Sequence, residues 1–121
     1  MREIKFRAWQ YSIKEMVNIQ KMSFRTGAIM PYGWNIEYTK GLSESMQYAE
    51  QNDINGNEVY EGDIVNQKSV LVGSPDIDFT GEVKFIDGSW CIDSGEDALP
   101  LFNESCELEI LGNKYAGLKD Y

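Results

Sequence analysis

Two stretches of alternating polar and apolar residues, separated by an Asp-Gly pair, constrain the fold of this chain more than any other feature. The stretches are residues 81–86 and 89–93, and Asp87-Gly88 lies between them. Alternation with a period of two is typical of a half-buried β-strand, because successive side chains point to opposite faces of a sheet. An Asp-Gly pair suits the tight turn that joins two antiparallel strands. The segment is therefore predicted to be a β-hairpin.

Similar short segments recur along the chain, and none has the period of a strong helix. Further strands are predicted at residues 3–9, 16–19, 24–30, 34–38, 46–49, 59–65, 70–72 and 106–111. Asn55-Gly56 is a second turn signal, and Gly62 permits a sharp bend before the core residues that follow it. Residues 96–102 are predicted to form a loop with one helical turn, which Pro100 limits. The end of the chain is predicted to be a short helix or a frayed tail.

The spacing of these strands predicts a mainly β fold. Five or so short strands with tight glycine turns between residues 46 and 112 are typical of a small, curled, SH3-like barrel. Residues 1–45 are expected to add an N-terminal antiparallel β extension, and residues 113–121 a tail. The 121 residues, 42% of them hydrophobic, fit a single globular domain.

The sequence also predicts where in the cell the protein is found. The chain lacks an apolar run of membrane-spanning length, and its first residues lack the apolar stretch of a signal peptide. We therefore expect a cytoplasmic protein with no membrane partner. Cys91 and Cys106 have neither C-x-x-C spacing nor a histidine nearby in the sequence, so both are expected to be buried thiols that act as small hydrophobic residues.

The charge of the chain is unevenly distributed. The net charge is −9, which disfavours nonspecific binding to nucleic acid or to anionic membranes. Residues 1–40 hold seven Lys or Arg and three acids, whereas residues 41–121 hold four Lys or Arg and seventeen acids. Two interpretations are open: ordinary surface variation, or a basic face that meets the acidic face of a neighbouring subunit or partner.

Three blocks of sequence carry a resemblance to a known family. They are MREIKFRAW at residues 1–9, NGNEVYEGDIV at residues 55–65 and EILGNKY at residues 109–115. In this order they resemble the YopX family of phage and prophage proteins, although Gln10 stands where that family usually has Asp. The resemblance implies a phage or prophage origin, a bacterial host cytoplasm and an SH3-like barrel with an N-terminal β extension. It implies no activity and transfers no functional residues.

The residue types limit the chemistry. The chain has no histidine, which excludes Ser-His-Asp and Cys-His nucleophile systems and the usual zinc sites. Asp53, Asn55 and Asn57 imitate the start of a calcium loop, but Glu58 and Ile64 stand where an EF-hand needs Gly and Glu. We interpret these residues as turn formers.

Two other acidic patterns have a functional and a structural interpretation. Asp76, Glu82 and Lys84 resemble in type the Asp, Glu and Lys of metal-dependent nucleases, but charges on a hairpin strand are normally its solvated face. Glu61 and Asp63 could act as paired acids. The alternative is that Glu61 is exposed and Asp63 accepts backbone hydrogen bonds at the adjacent glycine bend.

The N-terminal half supplies the interaction candidates, because basic residues alternate there with aromatic ones. The candidates are the aromatic residues Trp9, Tyr11, Phe24 and Trp34 and the basic residues Lys5, Arg7, Lys21 and Arg25. Aromatic anchors of this kind occur at subunit interfaces, and aromatic-basic combinations also bind single-stranded nucleic acid.

We therefore expect a non-enzymatic interaction module that forms homo-oligomers through its N-terminal sheet. No catalytic, cofactor-binding or metal-binding residues are predicted, and no cofactor. A host or phage protein is a further candidate partner. The alternatives are a nucleic-acid-associated phage accessory protein and, third, a metal-dependent nuclease that uses Asp76, Glu82 and Lys84.

Overall fold

A computed structural model describes residues 4–23, 25, 28–31, 43–73 and 76–118 of the chain. The chain divides into two compact units, Met1–Tyr48 and Ala49–Tyr121. Eleven strands occur in the described residues: β1 Phe6–Gln10, β2 Glu15–Met22, β3 Ile29–Pro31, β4 Ser43–Asn52, β5 Glu58–Tyr60, β6 Asp63–Ser69, β7 Asp78–Ile86, β8 Ser89–Asp93, β9 Ala98–Pro100, β10 Cys106–Asn113 and β11 Gly117–Leu118. Within these ranges there is no helix, and hence none that could cross a membrane.

The first unit is an antiparallel sheet in the order β3-β2-β1-β4. Its buried core consists of Ala8, Ile19 and Ile29, against which other apolar side chains of β1 and β2 pack. Ala8 is opposite Val17 of β2 and Ser45 of β4, so β1 is paired along both of its edges. Alternation in the sequence thus places one apolar row per strand in this core.

The second unit contains a six-stranded antiparallel sheet in the order β11-β10-β6-β7-β8-β9, together with the end of β4 and strand β5. Its core is formed by seven buried residues: Ala49, Val59, Val65, Val83, Ile92, Leu101 and Leu108. Gly81 lies close to the neighbouring strand, since a Cβ atom there would be 2.6 Å from the backbone oxygen of Asp93. The mainly β class is confirmed, but the described strands form two antiparallel sheets and do not close into a barrel.

Turn residues define the hairpins as the sequence predicts. Asp87 and Gly88 both have positive φ angles, 51° and 81°, which is the signature of a type I′ turn between β7 and β8. At the second predicted bend Gly62 has a φ of 89°. The Asp63 carboxylate beside it is buried and accepts a hydrogen bond of 2.8 Å from the backbone N–H of Tyr60. The structural interpretation of Asp63 is therefore confirmed, while Glu61 is half-buried rather than exposed.

Some predicted elements differ from the structure. Residues 70–72 form an exposed turn and not a strand, with Val72 fully exposed. The predicted loop at 96–102 contains strand β9, since an edge strand can contain a proline. The predicted helix or tail after residue 113 begins with a turn followed by β11. The predicted strand 34–38 lies outside the described residues.

Candidate functional site

The interaction candidates of the N-terminal half differ in their exposure. Trp9 is buried, Lys5 and Arg7 are half-buried, Tyr11, Lys21 and Arg25 are exposed, and Phe24 and Trp34 lie outside the described residues. Tyr11 belongs to the turn between β1 and β2, and Lys21 is opposite Met30 of β3. The exposed members are thus those in turns and at the end of β2. Their role in binding stays a prediction.

Alternation along the chain gives Lys5, Arg7 and Trp9 the same orientation relative to the first sheet. The Lys5 ammonium lies 5.7 Å from the ring centroid of Tyr48, within the range of a cation–π contact. A terminal guanidinium nitrogen of Arg7 lies 3.8 Å from the sulfur of Met46. Both cations therefore contact side chains of β4 in their own unit.

The second unit has an open groove of about 600 Å³, here called the Trp90 groove. It is lined by residues 49–52 at the end of β4, by Ser89 and Trp90 of β8, by Pro100 of β9 and by Phe102. A volume of this size lies within the roughly 300–1,000 Å³ typical of ligand sites. The groove is therefore large enough for a small ligand or a short peptide.

Aromatic side chains dominate one side of the Trp90 groove. Trp90 packs against the core, and Phe85 is directly opposite it on β7, with ring centroids 5.1 Å apart at an interplanar angle of 35°. Phe85 is nevertheless 52% exposed and Phe102 is 65% exposed. Trp90 and Phe102 line the groove, and Phe85 contacts Trp90 without being part of the lining. Exposed aromatic side chains at a groove are typical of an interaction site.

Hydrogen bonds fix the segment that carries Phe102. The backbone N–H of Leu101 donates to the carbonyl oxygen of Trp90 over 3.1 Å. The buried Gln67 side chain donates to the carbonyl oxygens of Pro100 and Leu101, each over 3.2 Å. Leu101 is buried in the core, whereas the next residue, Phe102, is exposed to solvent. The backbone that leads to Phe102 is thus fixed by a buried amide.

The polar side of the Trp90 groove contains a residue with an unusual backbone conformation. Glu50, near the end of β4, has a φ of 62°, a conformation that costs a non-glycine residue about 1–2 kcal/mol. Tyr48 and Ala49, the two residues before it, are both buried, so the alternation of β4 is interrupted there. Such interruptions often redirect a side chain next to a functional site. Here Glu50, which is exposed, is one of the residues that line the groove.

The charged residues of the second unit are mostly acids. Its described cations are Lys68, Lys84 and Lys114, against fifteen Asp and Glu. Lys84 pairs with Asp93 at 2.9 Å, and Lys114 with Glu82 at 3.8 Å. The hydrogen bond from Lys84 lowers the pKa of Asp93, and the backbone N–H of Gly95 lowers it further. Two of these three cations are therefore already paired within the unit.

The structure does not bring the residues of the nuclease-like pattern, Asp76, Glu82 and Lys84, together into one site. Asp76 and Glu82 are six residues apart along a nearly extended segment, which separates their Cα atoms by about 20 Å. The Asp76 carboxylate accepts a weak hydrogen bond of 3.5 Å from the Ser69 hydroxyl, and Lys84 is engaged by Asp93. The structure thus supports the interpretation of solvated charges on a hairpin.

Asp53 supports a turn, as the sequence analysis proposed. One of its carboxylate oxygens accepts hydrogen bonds of 2.9 Å from the backbone N–H groups of Asn55 and Asn57. The other accepts from the backbone N–H of Ile110 over 3.3 Å. Burial raises the pKa of Asp53, but these backbone donors outweigh it and the pKa is lowered. In the described part of the chain, no three Asp, Glu, Cys or His side chains are grouped as metal ligands.

The two cysteines are free and half-buried, so the expectation that both are buried is wrong. Cys91 lies on β8 and Cys106 begins β10. Burial raises the pKa of the Cys91 thiol, and the nearby carboxylate of Asp93 raises it further.

Sequence reasoning missed the Trp90 groove, although part of the signal was present. A two-residue turn at Asp87-Gly88 places residues 85 and 90 opposite each other, so the aromatic pair follows from counting. Glu50 and Phe102 come from distant parts of the chain, and local patterns carry no information about their convergence.

Comparisons with known proteins agree on one relationship. A family model described as YopX protein matches residues 5–117. The chain is also similar to a solved structure, the X-ray crystal structure of protein yopX from Bacillus subtilis, with 20% sequence identity and a TM-score of 0.59. The alignment covers 93% of this chain and 94% of that one, and at this identity it supports the fold. No curated protein matches the sequence.

Proposed function

This chain belongs to the YopX protein family, and from that premise we propose that it is a non-enzymatic, phage- or prophage-encoded interaction module that assembles with copies of itself in the bacterial cytoplasm. In this proposal the basic first unit of one copy binds the acidic second unit of another. An SH3-like character of the second unit is part of the proposal, and its short antiparallel strands and tight turns support it.

The observation that carries the proposal is that the charge division follows the structural division. The first unit, residues 1–48, contains seven Lys or Arg and four acids, whereas residues 49–121 contain four Lys or Arg and sixteen acids. Lys84 and Lys114 each neutralise one carboxylate of the second unit, Asp93 and Glu82, so the remaining acids stay in large excess. Opposite charge on two surfaces accelerates association and selects their relative orientation.

The positions of the acids that sequence reasoning considered for chemistry support a non-enzymatic role. The Asp53 and Asp63 carboxylates accept backbone hydrogen bonds at two turns, and Lys84 of the nuclease-like pattern is paired with Asp93. These groups have structural tasks that account for their positions. The exposed cations Lys21 and Arg25 are in turn suited to contact a second copy.

The proposal is tested by the mass in solution from light scattering at about 0.05 M and about 1 M salt, since screening shortens the range of surface charges from about 14 Å to about 3 Å. We expect a discrete multiple of 13.8 kDa at low salt and smaller species at high salt. The double variant Lys21→Glu, Arg25→Glu should be smaller than wild type at low salt. Lys68→Glu, an exposed reversal within the acidic unit, is the matched control and should leave the mass unchanged. A species of 13.8 kDa at both salt concentrations contradicts the proposal.

The second candidate is a nucleic-acid-associated accessory protein, which the exposure of Tyr11, Lys21 and Arg25 favours. It predicts binding of a single-stranded oligonucleotide whose affinity falls steeply with salt. Charge reversal at the exposed Lys21 and Arg25 should then flatten the salt dependence. A salt-independent affinity, or none, contradicts this candidate.

A further inference from the structure

We propose that the loop between β6 and β7 of one copy docks in the Trp90 groove of a second copy. The docking residues are Val70, Leu71 and Val72, here called the apolar loop. The contact joins two second units and uses no residue of the first unit. It therefore does not depend on the charge-driven contact proposed above, and each of the two can fail without the other.

The apolar loop presents three consecutive apolar side chains to solvent. Val70 is 48% exposed, Leu71 is 57% exposed and Val72 is fully exposed. Surface turns are usually built from Gly, Pro, Asn, Asp and Ser, so an apolar tip is unusual. Contiguous exposed apolar side chains often mark interaction sites. We therefore expect these side chains to be buried in a contact.

Hydrogen bonds fix the base of the apolar loop. The backbone N–H of Val70 donates to the carbonyl oxygen of Ser105, and that of Ser69 to the carbonyl oxygen of Ile77, each over 2.9 Å. The N–H of Ile77 donates in return to the Ser69 hydroxyl over 3.0 Å. A segment held in this way loses less conformational freedom on binding than a flexible one.

The Trp90 groove offers a matching apolar surface. Trp90, Pro100 and Phe102 are among its lining residues, and Trp90 is itself packed against the core and against Phe85. Aliphatic side chains that pack on such rings remove apolar area from water on both sides of the contact.

Charge distinguishes the apolar loop from the rest of the second unit. Residues 64–75 contain no Asp or Glu, and they are the longest run without an acid in residues 49–121. The groove belongs to the same unit, whose described part holds fifteen acids against three cations. A further acidic segment brought to this surface would meet like-charge repulsion. The acid-free apolar loop avoids it.

The apolar loop cannot reach the groove of its own chain. The loop leads into β7 at Asp78, whereas Phe85, near the other end of β7, is opposite Trp90. From residue 78 to residue 85 an extended strand rises by about 24 Å. Docking therefore occurs between copies. Because the loop and the groove are two different surfaces, the interface is heterologous and links copies head to tail into a ring or an open chain.

The test uses two full-length variants, each of which lacks one half of the contact. The loop variant, Leu71→Ser with Val72→Ser, keeps the groove, and the groove variant, Phe102→Ser, keeps the loop. Both are made in a parent protein that carries Lys21→Glu and Arg25→Glu. Masses are measured in about 1 M salt, so that the charge-driven contact is absent.

Sedimentation equilibrium at about 0.5 mM protein measures the association, since a contact smaller than a standard interface is weak. We expect the parent to exceed 13.8 kDa and to grow with concentration. Each variant alone should associate at least about tenfold more weakly. An equimolar mixture of the two should associate again, because the loop of one meets the groove of the other, and should stop at twice 13.8 kDa.

Nuclear magnetic resonance locates the contact. When the isotopically labelled loop variant is titrated with unlabelled groove variant, the amide signals of residues 49–52, 89, 90 and 102 should shift. Titration with unlabelled loop variant should leave them in place. Ile54→Ser removes an exposed apolar side chain from another turn of the second unit, and as the matched control it should associate like the parent.

All of these substitutions are at exposed positions, so each variant should unfold in urea at the same midpoint as the parent. If the loop variant does not fold, Val72→Ser alone replaces it. If the groove variant does not fold, Ser89→Arg replaces it, because a larger side chain at this exposed lining position fills the groove.

Four results would overturn the inference. A parent that stays at 13.8 kDa at high salt excludes the contact, even if a salt-sensitive mass of the wild type supports the charge-driven one. A mixture that associates no better than its components excludes pairing of loop with groove, and amide shifts confined to residues outside the groove place the contact elsewhere. Equal weakening by Ile54→Ser would show that any exposed apolar side chain has the same effect.

Discussion

Replacement of Asp53 should expose how much the turn between β4 and β5 contributes to the stability of the second unit. The carboxylate accepts three backbone hydrogen bonds, two within the turn and one from Ile110 of β10. At about 1 kcal/mol for each donor left without an acceptor, Asp53→Ala should lower the free energy of unfolding by about 3 kcal/mol. Asp53→Asn retains one acceptor oxygen but turns an amide donor towards one of the backbone donors, so a loss of about 1–2 kcal/mol is expected.

The pH dependence gives the same prediction a second, independent readout. The folded-state pKa of Asp53 is lowered from its ordinary value of 3.8, so the unfolded chain takes up the proton first as the pH falls. The contribution of the carboxylate is therefore complete above pH 3.8 and is lost as the pH falls through the folded-state pKa. The stability difference between wild type and Asp53→Asn should shrink over that acidic range.

Urea denaturation followed by far-UV circular dichroism, at neutral pH and at a series of acidic pH values, measures both effects. Glu107→Gln is the matched control, because it removes one exposed carboxylate from β10 without removing a backbone partner. The reasoning is refuted if Asp53→Ala costs no more than the control. A stability difference between wild type and Asp53→Asn that stays constant on acidification would refute the electrostatic part.

Three further predictions concern the hairpin of β7 and β8. Gly81→Ala should cost about 2–3 kcal/mol in urea denaturation, because its Cβ would lie 2.6 Å from the backbone oxygen of Asp93. Gly88→Ala, with open space but a φ of 81°, should cost only about 1–2 kcal/mol, and equal losses would contradict the steric argument. Asp87→Asn should stabilise the type I′ turn by a few tenths of a kcal/mol, and a lower thermal midpoint would count against that turn assignment. Cys91 should react with iodoacetamide more slowly at pH 8 in the folded protein than in urea, because its pKa is raised in the folded state; equal rates would contradict this.

The elements that sequence reasoning located correctly are those in which local chemistry determines the backbone. Asp87-Gly88 and Gly62 require positive φ angles, and the structure has its turns at these residues. Asp53 and Asp63 were recognised as turn residues because short carboxylates readily accept nearby backbone hydrogen bonds.

The errors occur where neighbouring strands decide the outcome. Residues 70–72 are apolar and two of them are valines, yet they form an exposed turn because the sheet continues at residue 78 and the chain must reverse. Pro100 suggested a loop, but a strand at the sheet edge needs only one set of hydrogen bonds, which β8 supplies to β9. Local sequence patterns also could not predict that Trp9 is buried, because they assign a side chain to one face of a sheet without revealing what covers that face.

The burial pattern of strand β4 limits where proteins of this family can differ in length. Met46 and Tyr48 are buried on one side of the alternation and Ala49 on the other, and Glu50 follows at the point of change. A one-residue insertion or deletion within a strand inverts every side chain beyond it. In β4 such a change would keep the side chains of one unit in place but would turn those of the other unit to the opposite face of the strand. We therefore expect length differences between family members to accumulate in turns such as residues 70–73 and to spare residues 43–52, which a comparison of their sequences can examine directly.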